Sequence, residues 1–300
     1  MMAFFFYNVV MRKRKSKIIL ILSLIIVLCF LVISLLKVVA DYNIEKIVEE
    51  EVIEIVPDID IKHTLYYSCL NDTEKDIYKC LEKYVSERQE KIIIPEASDQ
   101  EVSRAVQAYY FTNPQYYWLN TNFMFGYESL NYNTTYFIKF DLQEDYSQEI
   151  NAIADQIVNN INEDDDVERL RIIYDYIINN TTYNKDNFEE SQTLISALIG
   201  KQSVCAGYSS AFCYLANKMG YECYVVNGTG EDHNGVRAGH SWNIICLDNN
   251  YYWIDPTWGE TIINDVEYNP NYDYFLVGDE EMLINHFPDG NFQYPECTKK

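Results

Sequence analysis

Residues 201–212 read K-Q-S-V-C-A-G-Y-S-S-A-F, residues 239–245 read G-H-S-W-N-I-I, and residues 251–259 read Y-Y-W-I-D-P-T-W-G. These stretches decide the fold because they tie the start of a helix to a β-hairpin. Beyond Cys205, the residues Tyr208, Phe212, Leu215, Ala216 and Met219 follow at 3, 7, 10, 11 and 14 positions. That spacing marks one face of a helix, and Gly220 supplies its C-terminal stop. Cys205 therefore opens a helix, where free backbone N–H groups and the helix dipole favour a thiolate. The same N–H groups leave the Cys205 amide able to hold an oxyanion. Residues 240–246 and 251–255 read as strands joined around Leu247-Asp248-Asn249-Asn250. Opposed residues of an antiparallel pair have a constant index sum, and an even-membered loop makes that sum odd. Positions 240 and 255 sum to 495, so an even loop puts His240 and Asp255 on one face with Trp242, Ile244, Cys246, Tyr251 and Trp253. An odd loop separates them.

A thiol, an imidazole and a carboxylate brought together form a relay suited to acyl transfer. Cys205 attacks a carbonyl carbon, and His240 takes the thiol proton and returns it to the leaving amine. Asp255 holds the imidazole in the useful tautomer, and water or an amine resolves the thioester. Singly, each residue has a plainer reading: a buried small hydrophobe, a histidine bonded in place, an Asp-Pro turn opening. Their convergence on one core favours the chemical reading.

The residues that carry this reading resemble the transglutaminase-like superfamily, particularly its bacterial, surface-directed members, over roughly residues 165–260. G-K-x-x-V-C-A-G-Y-S at 200–209 is similar to the family's nucleophile segment, and G-H-S-W-N and Y-Y-W-I-D-P-T-W to its histidine and aspartate strands. N-T-T-Y-N at 180–184 resembles the short motif ahead of the cysteine helix. The resemblance implies an α+β, papain-related core, with a cysteine-bearing helix packed on an antiparallel sheet that bears His and Asp. It implies Cys205, His240 and Asp255 as the triad, and Gln202, Tyr183 and Trp242 as candidate oxyanion helpers. Members of the family cross-link, deamidate or cleave amides, or serve as binding modules, and fold alone does not choose among these. The leading expectation is an extracytoplasmic enzyme acting on protein or cell-wall peptide amides. The alternatives are a non-catalytic surface or scaffold protein and, more distantly, a papain-type protease.

The 300-residue composition is globular, with 48% hydrophobic residues, 27 tyrosines and 14 phenylalanines. The first 40 residues carry six Lys/Arg and no acid, so the remainder has 17 basic against 46 acidic residues, a formal net charge of −29. Such a body repels phosphate backbones, which argues against nucleic acid as a partner. Ile18 to Leu36 runs 19 residues without a charge, long enough for a membrane helix. The basic residues Arg12–Lys17 precede it and acids follow. The positive-inside rule then puts the N-terminus in the cytoplasm and residues 41–300 outside. Val38-Val39-Ala40 offers the alternative of cleavage and secretion.

The expected organisation is a basic tail (1–17), a transmembrane helix (18–40), a stalk (41–63), an accessory region (64–160) and the core (161–300). In the accessory region, helices are expected over 71–90, capped by Asn71 or Asp72, and over 98–111, with Ser98 and Glu101 forming a capping box. Two or three strands follow in the aromatic stretch 115–141, then helices at about 144–161 and 165–179. The acidic run 163–166 is read as favourable contact with a helix dipole. Seven cysteines lie beyond residue 40 with no C-x-x-C among them; besides a free nucleophile six remain, enough for up to three disulfides, but no spacing forces a pairing and the favoured reading is reduced, buried small hydrophobes. With no C-x-x-C, four scattered histidines and no D-x-D-x-D-G run, no metal and no cofactor are expected.

Overall fold

The computed structural model describes residues 28, 30–39, 55–120, 123–130, 133–142, 144–184, 186, 191–259, 262–263, 266–267 and 269–299. The chain divides into one unit ending at Glu54 and a second spanning Ile55–Lys300. In the first, helix α1 (30–39) leaves its large apolar side chains exposed, Phe30 at 68% and Leu35 at 64%. Among the described residues no helix is long and apolar enough to cross a membrane. Most of the 18–36 stretch, and the stalk up to residue 54, lie outside those residues.

The second unit begins with α2 (Leu65–Ser68) and α3 (Asp72–Tyr84). Asn71 caps α3 and forms a capping box with Glu74, satisfying two otherwise orphaned donors. The helix stops at Tyr84 rather than running on to 90. Arg88 takes a left-handed φ of 54°, and its guanidinium lies over the Trp118 ring and pairs with Asp145. Strand β1 (Lys91–Ile94) follows, which the sequence reading did not anticipate. Next comes α4 (Asp99–Thr112), with the Ser98–Glu101 capping box in place and Val102, Ala105, Val106 and Tyr109 buried. The aromatic stretch forms the hairpin β2 (Phe123–Leu130) and β3 (Asn133–Phe140), and β3 sits centrally in the order β1-β3-β2. Helices α5 (Ser147–Asn159) and α6 (Asp166–Asn180) come next. Asp165 from the acidic run caps α6 by accepting from the Glu168 amide.

Short strands β4 (Thr182–Tyr183) and β5 (Gln202–Ser203) pair in parallel, with α7 (Leu194–Leu198) between them. Helix α8 (Cys205–Lys218) then runs through the core with residues 207–216 all buried. Gly220 has φ +92° just past its end, a conformation that favours glycine. Strands β6 (Glu222–Glu231), β7 (Arg237–Leu247) and β8 (Asn250–Ile254) form an antiparallel meander. The two-stranded pair β9 (Ile262–Ile263) and β10 (Val266–Glu267) follows. Strands β11 (Phe275–Val277) and β12 (His286–Pro288), separated by helix α9 (Asp279–Met282), complete the sheet in the order β11-β8-β7-β6-β12.

The architecture is a mixed α/β core, with the α8 layer on an antiparallel sheet. Asn243, fully buried on β7, joins the two: its amide donates to Ser209 O of α8 at 2.9 Å and to Tyr224 O of β6 at 3.3 Å. All seven cysteines from Cys69 onward are free thiols, and Cys80, Cys205, Cys213, Cys223 and Cys297 are buried.

Candidate active site

The β7–β8 turn holds only Asp248 and Asn249, both at positive φ (52° and 62°), the geometry of a tight hairpin turn for which Asp and Asn are suited. The loop is even-membered, though shorter than the four residues read from sequence. Its register, Ile244↔Trp253 and Asn243↔Ile254, places His240 and Asp255 on the same face. Asp255, just past β8, is held by its own amide donating to Tyr274 O at 2.9 Å. The Tyr174 hydroxyl donates to the Asp255 carbonyl at 3.1 Å.

The Asp255 side chain is fully buried. Its Oδ1 accepts the Thr257 and Trp258 amides at 2.8 and 3.3 Å. Its Oδ2 receives His240 Nε2 at 2.6 Å and His286 Nε2 at 3.0 Å. Nε2 of His240 is turned to Asp255, and Cys205 also acts on the ring to raise the proton affinity of the imidazole. Burial alone would lower that affinity. The Asp255 charge and hydrogen bond, joined by Cys205, outweigh burial and raise His240 from 6.5 to about 10. For Asp255, burial pushes upward, but the two imidazoles hold it well below the usual carboxylate range. The His240 ring stacks with Trp242 at 5.8 Å and with Trp258 at 5.4 Å.

The strand beside β7 makes room for this. A Cβ at Gly230 would stand 3.1 Å from the His240 ring, and one at Gly228 would stand 2.2 Å from the Phe287 carbonyl and 2.7 Å from Trp242. The two glycines let aromatic rings and β12 lie close across β6.

Cys205 is the first residue of α8, whose N-cap Val204 makes no side-chain cap bond. A cleft of about 690 Å³ opens beside His240, walled by Tyr183, Thr257, Trp258, Asn271, Tyr274 and Asn285. Of the candidate oxyanion helpers, Tyr183 stands in this wall. Trp242 is buried behind His240, and among the described residues its indole N–H has no hydrogen-bond partner. Gln202 is exposed, its amide oxygen taken by Asn184 at 2.8 Å.

His286 is the residue that sequence reasoning missed. It lies 31 positions beyond Asp255, on a three-residue strand that has no periodicity to announce it. Among the described residues His240, Asp255 and His286 are the group whose ligand atoms lie close enough together, within 4.8 Å, to hold a metal. Both imidazoles already point at one carboxylate oxygen at hydrogen-bond distance, and those bonds account for the cluster.

Comparison with known proteins agrees with this core. Residues 151–256 match the model of the transglutaminase-like superfamily. The chain is similar to kyphoscoliosis peptidase of Homo sapiens, 25% identical over 182 residues, covering 54% of this chain and 27% of that protein. It is similar to the Mus musculus protein at 26% over 140 residues, covering 41% and 21%. The chain thus spans about a quarter of the length of the curated relatives it matches. Among solved structures, a TGase aligns at TM-score 0.32 with 16% identity over 44% of this chain and 43% of that one. The periplasmic domain of TgpA from Pseudomonas aeruginosa aligns at 0.29 with 14% identity over 42% and 54%. The family match falls on the segment that carries α8, β6, β7, β8 and the Asp255 corner, so the core over residues 151–256 is transglutaminase-like.

Proposed function

We propose that this chain is a cysteine-dependent acyl-transfer enzyme that works on protein or peptide amides through a thioester. Cys205 is the nucleophile, His240 the proton carrier and Asp255 its anchor. The observation that carries the reading is the 2.6 Å bond from His240 to a buried carboxylate, with Cys205 acting on the same ring. Cys205 reacts as the thiolate, the nucleophilic form of a cysteine, with the proton carried by His240, whose proton affinity is raised to about 10. The sulfur bonds to the carbonyl carbon as the carbonyl π pair moves onto oxygen. Collapse breaks the C–N bond, and the His240 proton leaves with the amine. Water or a primary amine then gives a proton to His240, attacks the thioester carbon and expels the thiolate.

Incubating the full chain with a labelled primary amine and cell-surface peptides tests this, wild type beside Cys205→Ala. Amine incorporation means transamidation; peptide shortening or ammonia release without incorporation means hydrolysis. Either product should fall at least about 10³-fold in the variant. Product formation equal in both proteins overturns the reading, and no product in either leaves a non-catalytic surface or scaffold module.

We also infer that residues 18–36 anchor the chain across a membrane once, N-terminus inside and the enzyme body outside. Support comes from the 19 uncharged residues behind a basic cluster and from the exposed apolar side chains of α1. The expressed chain should resist carbonate extraction and its body should be digested by protease added outside intact cells. Extraction of the uncut chain into the soluble fraction overturns this; a product shortened at Ala40 would mean secretion instead.

A further inference from the structure

We propose that His286 is a positioning residue of the relay: as the second imidazole on Asp255 Oδ2, it fixes the carboxylate and thereby the one place where His240 can stand. The inference rests on the reading of Cys205, His240 and Asp255 as a working relay. An ionised carboxylate offers about four acceptor sites on its two oxygens. In Asp255 all four are used, two by backbone amides on Oδ1 and two by the histidines on Oδ2. Rotation about the Cβ–Cγ bond, soft for an aspartate by itself, would break several bonds at once. Removing His286 would leave a lone pair of a buried carboxylate unpaired and give Asp255, with His240 on it, room to turn.

His286 is itself held firmly. It is fully buried, with its ring centroid 4.4 Å from Trp258, 5.0 Å from Trp242 and 5.1 Å from Tyr274. Its Nδ1 meets the Asn285 side-chain amide at 2.8 Å, and that amide meets the Tyr274 hydroxyl at 2.6 Å. The Tyr274 carbonyl in turn accepts the Asp255 amide. The contacts close a ring: Asp255, His286, Asn285, Tyr274 and back to Asp255.

Facing a carboxylate, Nε2 of His286 carries a hydrogen. Asn285 Oδ1 lies against Nδ1 at 2.8 Å, and Asn285 Nδ2 donates to the Tyr274 hydroxyl at 2.6 Å. Both ring nitrogens of His286 therefore have a partner, and the ring cannot turn without losing one.

The test uses the full chain and four proteins: wild type, His240→Ala, His286→Leu and His286→Gln. Two quantities are measured: the rate of iodoacetamide labelling at Cys205, read on its own peptide by mass spectrometry, and kcat and KM for the amide reaction. His286→Leu should slow labelling and lower kcat about 10–100-fold, the usual cost of losing a residue that orients another, with KM nearly unchanged. His286→Gln, which still offers an amide N–H to Asp255, should recover most of both. The inference is overturned if folded His286→Leu labels and turns over like wild type. It is also overturned if natively folded His286→Gln is as slow as His240→Ala, an outcome that decides the matter even if the leucine variant does not fold. If wild type labels no faster than His240→Ala, the relay itself is absent, and the proposed function falls together with this inference.

Discussion

Replacing Asp255 with asparagine is expected to lower turnover about 10⁴-fold, the scale seen when a relay carboxylate becomes an amide and the imidazole takes the wrong tautomer. The amide keeps the shape of the side chain but loses the charge that raises His240 and presents an N–H toward one of two histidines that both donate to Oδ2. Stability should fall as well, by about 3 kcal/mol or more, because removing one partner of a buried charge pair leaves the other uncompensated. The change should carry a pH signature. His240 sits higher in the folded protein, at about 10, than its ordinary 6.5. Its contribution is therefore complete below 6.5 and drains away as pH rises through 10. Asp255 is displaced the other way, so its contribution is present above its ordinary value and is lost only in strong acid. Wild-type Tm should thus decline between pH 7 and 10, while Asp255→Asn should give a flatter curve. Calorimetry of both proteins across that range decides it, and parallel curves would contradict the assigned coupling.

The second large effect is expected at Gly228. A methyl group there would stand 2.2 Å from the Phe287 carbonyl, 2.7 Å from Trp242 and 2.8 Å from the Pro288 Cα. Two of these neighbours are backbone and the third is a fully buried indole, so none gives way cheaply. Gly228→Ala should cost about 3 kcal/mol by overpacking and displace β12, which carries His286. Gly239→Ala is the matched control: among the described residues nothing lies within 4 Å of a Cβ at Gly239, and its cost should stay within about 0.5 kcal/mol. Urea denaturation of the two variants makes the comparison. Equal midpoints would mean that β12 does not press on β6 as described.

The parts of the fold that could be read from sequence are those written in local spacing. Cys205 and the residues at helical intervals after it mark α8, and Ser98 with Glu101 marks the start of α4. The shared face of His240 and Asp255 followed from the parity of a turn, which needs no knowledge of the rest of the chain. What escaped was set by distant contacts. Strand β6 escaped because Cys223, Tyr224, Val225 and Val226 are all buried, so the alternation of a half-exposed strand is missing. The early end of α3 escaped because Arg88 is fixed by Trp118 and Asp145, far along the chain. His286 escaped for both reasons: its strand is too short for a pattern, and its meaning comes only from Asp255.

In the proposed relay the nucleophile rides on the helical layer, while its base and the carboxylate behind it ride on the sheet. Asn243 is the buried peg between them, bonded to Ser209 of α8 and Tyr224 of β6. The gap across which the proton must pass is therefore a gauge of how tightly two slabs of the molecule are pressed together. A slight loosening, by mild denaturant or by a pull on α8, would silence the chemistry while leaving each slab whole.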